Sequence, residues 1–258
     1  MTCSVGHNYD FTKEGYLHLL PANKKNSKVP GDDAMMVGAR SAFLVAGHYQ
    51  PLVQAVKKII ETKYKDMEPL AALDIGCGNG YYTHESIENT GIFEHIYGID
   101  ISKYAVRQAA KSHKNMHFFV GSAFDIPIAS NSMDLALSVF APISPAEVER
   151  ILKGNGHFVV VTPGSQHLRE LAEIIYDRYR EHNNTTHDRL STNLQLVKSE
   201  DISFNIQLQT EDDITNLLKM TPYYWNKDRD KLKKIRLLAD LQVTCHFQID
   251  IFAPHKKA

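Results

Sequence analysis

The chain has 258 residues, 43% of them hydrophobic and 23% charged, the balance of a globular core rather than of a disordered chain. Its 29 Lys and Arg against 30 Asp and Glu leave a formal charge of -1, which excludes a chain-wide basic field but not a local basic patch. Three scattered cysteines make no disulfide framework, the start MTCSVGHNYDF is no secretory signal, and no apolar run nears the roughly 18 residues of a membrane span.

Residues 1–31 are polar and turn-rich, with Pro21, Pro30 and Gly31, and helical patterns follow at 34–45 and 51–65. Residues 1–68 read as a small N-terminal region before a domain at 69–258. From there short apolar strands are predicted at 70–75, 95–100, 116–121, 133–140 and 157–162, with helices at 82–88, 103–112, 145–152 and 166–180. That alternation argues right-handed βαβ units and a parallel sheet covered on both faces. The polar stretch 182–191 reads as a loop. A strand at 203–209, a helix at 211–219 capped by Thr210, and a strand at 241–252 close the chain. The expected fold is α/β: a seven-stranded, mostly parallel sheet with an antiparallel edge pair. A soluble, cytoplasmic protein is expected.

The strongest local signal is LDIGCGNG, where a strand runs into Asp74 and then Gly76, Gly78 and Gly80. Closely spaced glycines let the backbone turn sharply and approach a ligand, and the next helix points its N-terminus there. The spacing is not GxGxxG. It resembles motif I of the Rossmann-like S-adenosylmethionine-dependent methyltransferases. With that resemblance, Asp100 at the end of the second strand is placed to accept both ribose hydroxyls, and Ser122 and Ala123 after the third strand to lie beside the adenine. Cys77, inside the loop, reads as a small buried side chain rather than a reactive thiol, because no base is visible beside it.

Longer segments are similar to the 23S rRNA (guanine-N1)-methyltransferase family: KEGYLHLLP, PGDDAMM, ARSAFLVAGHYQPL, LDIGCGNGYYTH, TPGSQHL and MTPYYW. The likeness spans almost the whole chain. It implies methyl transfer from S-adenosylmethionine to N1 of a guanine in a hairpin loop of large-subunit ribosomal RNA. It also implies cofactor contacts from Gly78, Asn79, Tyr49 and His167. The family carries an N-terminal zinc module, Cys-x-x-Cys then Cys-x-x-x-His. Cys3 and His7 match only its second half. Structural zinc needs four ligands, so no stoichiometric zinc is expected.

Guanine N1 must lose a proton on methylation, and a general base would help. At the end of the fourth strand, where many amino-methylating enzymes have Asp or Asn before Pro-Pro-aromatic, this chain has Phe140, Ala141 and Pro142 with no carboxylate. Asp125, Asp134 and Glu147 are near in sequence but have ordinary structural readings, and no base is named. RNA contact is expected from basic residues with aromatics: Lys24, Lys25 and Lys28, then Trp225, Lys227, Arg229, Lys231, Lys233, Lys234 and Arg236. The alternative for the second cluster is a solvated amphipathic helix with Trp225 in the core. A methyltransferase for a small molecule, a non-catalytic cofactor- or RNA-binding module, and a homodimer all stay open from sequence.

Overall fold

A computed structural model describes residue 6 and residues 9–21, 30–65, 70–176, 186–225 and 229–255. In chain order the elements are β1 (Leu17–His18), α1 (Ala34–Val45), α2 (Gln50–Tyr64), β2 (Ala71–Ile75), α3 (Tyr81–Ser86), β3 (His95–Asp100), α4 (Lys103–Ser112), β4 (His117–Val120), β5 (Met133–Val139), α5 (Pro145–Ile151), β6 (Leu152–Pro163), α6 (Arg169–Ile175), α7 (Thr186–Leu190), β7 (Leu194–Leu208), α8 (Glu211–Lys219), α9 (Arg229–Arg236) and β8 (Leu241–Pro254). They build one sheet in the order β1-β4-β3-β2-β5-β6-β8-β7. Strands β1 to β6 pair in parallel, and β8 runs antiparallel between β6 and β7.

The sheet has eight strands among the described residues, not the expected seven. The eighth is β1, where Leu17 pairs with Phe119 and His18 with Val120. Two residues carry too little periodicity to mark a strand, and this one comes from the N-terminal region. Tyr64, at the end of α2, also reaches the sheet domain: its hydroxyl donates to the Asp134 carbonyl at 2.8 Å.

Central strands are buried on both faces, so successive residues serve opposite cores. In β6, Phe158 and Val160 face one cluster while Val159 and Val161 face the other. Caps fix the helix starts. Asp33 accepts from the Met36 N–H for α1, Ser102 from Ala105 for α4, and Thr210 from Asp213 for α8. These are the side-chain oxygens that a helix start needs.

Several local expectations change, among them the strand expected from 157, which starts at Leu152. The helix expected from 166 starts at Arg169, because Leu168 adopts a left-handed conformation (φ 54°) that excludes it from a helix interior. The loop expected at 182–191 contains α7, anchored by Leu190 at 1% exposure; residues 182–185 lie outside the described residues. Strand β7 begins nine residues before the expected start, at Leu194 rather than Ser203. It is an edge strand whose alternate residues face solvent, so its first half reads as polar. The described part of α9 is amphipathic: Leu232 and Ile235 are buried and Lys233 is exposed. No described helix is long and apolar enough to cross a membrane.

Candidate functional site

The carboxyl ends of β2, β3, β4, β5 and β6 meet at one edge, where open α/β sheets bind ligands. After β2 the chain turns through Gly76, whose N–H donates to the Ile99 carbonyl at 2.8 Å, and Cys77, which donates to the same oxygen at 3.0 Å. A Cβ on Gly76 (φ 78°) would lie 2.2 Å from the Ala141 Cβ, so the loop is packed directly on the segment after β5. Gly78 (φ 56°) is the opposite case: a Cβ there would meet nothing within 4 Å. The loop is thus closed against protein at Gly76 and open at Gly78.

Asp100 ties this loop to the end of β3. Its Oδ2 accepts from the Gly78 N–H at 2.9 Å and its Oδ1 from the Ser102 N–H at 2.7 Å. Burial pushes its carboxyl up, and these two N–H bonds oppose the rise. The Ser102 hydroxyl donates to the Asp32 carbonyl, and the Asp32 carboxylate pairs with Arg40. Arg40 also donates to the Met220 carbonyl at 3.4 Å. The PGDD, ARSAF and MTPYYW segments therefore converge on one guanidinium beside the β3 end. Ser122 and Ala123 sit half-buried after β4. The Ser122 hydroxyl is occupied within its own turn, accepting from the Phe124 N–H at 3.1 Å.

Behind the loop lies a group of buried polar atoms without partners among the described residues: Tyr49 Oη, Tyr82 Oη and Asp74 Oδ1. Leaving such an atom unsatisfied costs about 1–3 kcal/mol. Asp74 is 1% exposed, and its Oδ2 accepts from the Thr83 hydroxyl at 2.6 Å. Burial raises its carboxyl to about 7, with Thr83 pulling the other way and Asp100 adding to the rise. An acid whose folded value is raised contributes stability that is present below its unfolded value and lost as pH rises through the folded one. Asp74→Asn should therefore flatten the loss of stability of the ligand-free protein between about pH 4 and 7. Melting temperatures across that range check this, and an unchanged slope would contradict it.

Tyr49, Phe140, His167 and Phe247 form an aromatic cluster beside these atoms. The His167 ring lies 4.6 Å from Phe247, 6.2 Å from Phe140 in a stacked arrangement, and 6.3 Å from Tyr49. Its Nδ1 faces the His246 N–H at 3.4 Å. Phe140 is 41% exposed with φ 59°, an unusual conformation for a bulky residue. Strain of this kind gathers at functional sites. Asn79 is buried and its Oδ1 accepts from the Tyr81 N–H at 3.3 Å, at the start of α3.

The structure brings Gly76, Gly78, Asn79 and Asp100 together at the loop, and Tyr49, Phe140 and His167 in the adjoining cluster. Phe247 and Tyr82 were not singled out from sequence. Phe247 is one apolar residue in an alternating strand, and only its place opposite Pro163 in β6 gives it a role. Asp134 and Glu147 are committed elsewhere. Asp134 accepts from the Ala71 N–H and Lys153, and Glu147 from the Ile126 N–H and Arg150. Cys77 is buried and its thiol is pushed up by burial, as the inert reading expects. Lys24, Lys25, Lys28, Lys227, Cys3 and His7 lie outside the described residues.

A family model described as "Methyltransferase domain" matches residues 68–228, and one described as "RlmA, N-terminal", a zinc ribbon, matches residues 1–28. Within 1–28 the chain carries a single cysteine, Cys3, and Cys77 and Cys245 are buried in the sheet domain. The residues present do not fit a four-ligand thiolate site. The 23S rRNA (guanine(748)-N(1))-methyltransferase of Streptomyces fradiae is 32% identical over 91% of this chain and 83% of its own. A Bacillus subtilis protein named putative 23S rRNA (guanine-N(1)-)-methyltransferase is 28% identical over 95% of this chain and 87% of its own. Among solved structures, a YcgJ protein from Bacillus subtilis superposes with a TM-score of 0.54 at 18% identity, covering 80% of this chain and all of its own, and supports the fold alone. The chain belongs to the 23S rRNA (guanine-N1)-methyltransferase family of S-adenosylmethionine-dependent enzymes.

Proposed function

We propose that the open edge around the glycine loop carries methyl transfer from S-adenosylmethionine to N1 of a guanine in a hairpin loop of 23S ribosomal RNA. The cofactor supplies a methyl group on a sulfonium, for in-line displacement. The chain's own residues orient and exclude water. The single observation that carries this reading is the pairing of an open approach at Gly78 with the unpartnered Tyr49, Tyr82 and Asp74 atoms behind it. An amino-acid end with an ammonium and a carboxylate offers donors and acceptors for such a set. Asp100 retains lone pairs for the ribose hydroxyls, and Ser122 and Ala123 border the adenine. Asp74, Gly76 and Gly80 shape the loop, with Asn79 and His167 beside it. Phe140, Ala141 and Pro142 face the incoming base, with the Phe140 ring as the stacking surface. A base flipped from its loop would meet that ring.

The test is incubation with labelled cofactor and in vitro transcribed ribosomal RNA, followed by mapping of the label. Label at guanine N1 is expected. Label only in small molecules, or cofactor binding without transfer, would overturn the reading. The work is done where ribosomal RNA resides, in the cytoplasm.

RNA grip is assigned to the basic segments. Lys231 is set apart, because its ammonium donates to the Ile175 carbonyl at 3.1 Å and so finishes α6. Neutralising Lys227, Lys233 and Lys234 together should weaken RNA binding and reduce the salt slope by about 0.7–0.9 for each phosphate no longer neutralised. Cofactor affinity should not change. A binding series across salt that matched the parent would move the RNA surface to the N-terminal lysines.

A further inference from the structure

We infer that His84, Glu88 and His113 form a site for a divalent cation of the zinc type, at the facing ends of α3 and α4. His84 stands in the last turn of α3, Glu88 begins the 3-10 turn that follows, and His113 caps the end of α4. One donor atom from each lies within 4.8 Å of the others. The His84 Nδ1 is 2.7 Å from Glu88 Oε2, and the two imidazole rings are 4.6 Å apart at 31°. Glu85 Oε1 is 3.8 Å from His84 Nε2, the ring nitrogen that does not face Glu88. Asn115 hydrogen-bonds Glu88 and orients its carboxylate.

An ordinary helical ion pair accounts for His84 and Glu88 but not for a second imidazole facing the first. Two imidazoles and a carboxylate are a donor set that zinc-type ions take with an open position. Metal–ligand bonds of roughly 2.1 Å in a tetrahedron bring donors about 3.4 Å apart. All three residues are half-buried, so side-chain rotation can supply that closure. Beside them opens a cleft of ≈ 300 Å³ whose lining includes Gln50, Asn79, Tyr81 and Gln108, giving an entry path. Occupancy would tie the end of α3 to the end of α4, the two helices that frame the loop.

This site shares no ligand with Cys3 and His7, and the test keeps them apart. The full chain, stripped with a chelator, is titrated with zinc by calorimetry and with cobalt by absorption. The parent should take up one equivalent whose cobalt spectrum lacks a thiolate charge-transfer band. Cys3→Ser with His7→Ala should keep it. His84→Ala with His113→Ala should lose it. Even partners of ligands cost ~10–100-fold in metal affinity, so loss of two ligands should exceed that. Melts in chelator establish whether the variant folds. Should it not fold, Glu88→Gln takes its place, with an expected affinity loss of more than about tenfold. No uptake by the parent, a thiolate band, or parent-like affinity in the folded variant would overturn the site.

Discussion

Gly76→Ala should cripple the protein through folding, and Gly78→Val through cofactor binding, although a single residue separates the two positions. At Gly76 a methyl group would lie 2.2 Å from the Ala141 Cβ, with φ at 78°. The left-handed backbone costs a residue with a Cβ about 1–2 kcal/mol, and overpacking adds about 1–3 kcal/mol. A melting temperature lower by roughly 5–15 °C follows for a chain of this size. At Gly78 the backbone cost is similar, but the side chain enters open space. Melting should fall by only a few degrees, while S-adenosylmethionine affinity falls at least about a hundredfold, because close backbone approach is what glycine permits. Melts and calorimetry on both variants separate the two effects. Parent-like cofactor affinity in Gly78→Val would show that the ligand does not approach there.

Phe140→Ala and Phe247→Ala make the second contrast. The Phe247 ring is fully buried, 5.1 Å from Tyr49 and 4.6 Å from His167. Its removal should cost about 3–5 kcal/mol of stability, and disorder the cluster with it. Phe140 is exposed and already strained, so its removal should change stability by less than about 1 kcal/mol. If the guanine stacks on it, that stacking is worth about 1–3 kcal/mol. The expected loss in kcat/KM on RNA is then roughly 5- to 150-fold, with cofactor affinity unchanged. Single-turnover methylation alongside melts reads both. Full activity in Phe140→Ala would place the base elsewhere.

Much of this edge was legible because its determinants are local. Asp74 through Gly80 must turn within a few residues, so the glycines announce themselves, and Asp100 follows at the next strand end. The capping residue Thr210 and the α8 boundaries were legible for the same reason. What was hidden depends on partners far along the chain. Strand β1 is two residues long and exists because β4 offers an edge. Leu168 looks helical in sequence, but its N–H is taken by the Thr244 carbonyl at 2.8 Å. Phe247 and Tyr82 carry no pattern that separates a site wall from ordinary core. His84, Glu88 and His113 lie at the end of α3, in the 3-10 turn after it and at the cap of α4, ends that only the fold brings together.

The placement of β1 also sets an order of events in synthesis. Leu17 emerges first, yet its partner Phe119 follows about a hundred residues later. At roughly 5–20 residues per second the N-terminal segment waits roughly 5–20 s for that partner. Helix α1 waits longer, since it rests on α8 near the far end of the chain. Arg40 likewise has no Met220 carbonyl to hold until then. The N-terminal elements dock only after partners far along the chain are made, and a chain cut short before α8 would carry the glycine loop with α1 lacking the helix it rests on.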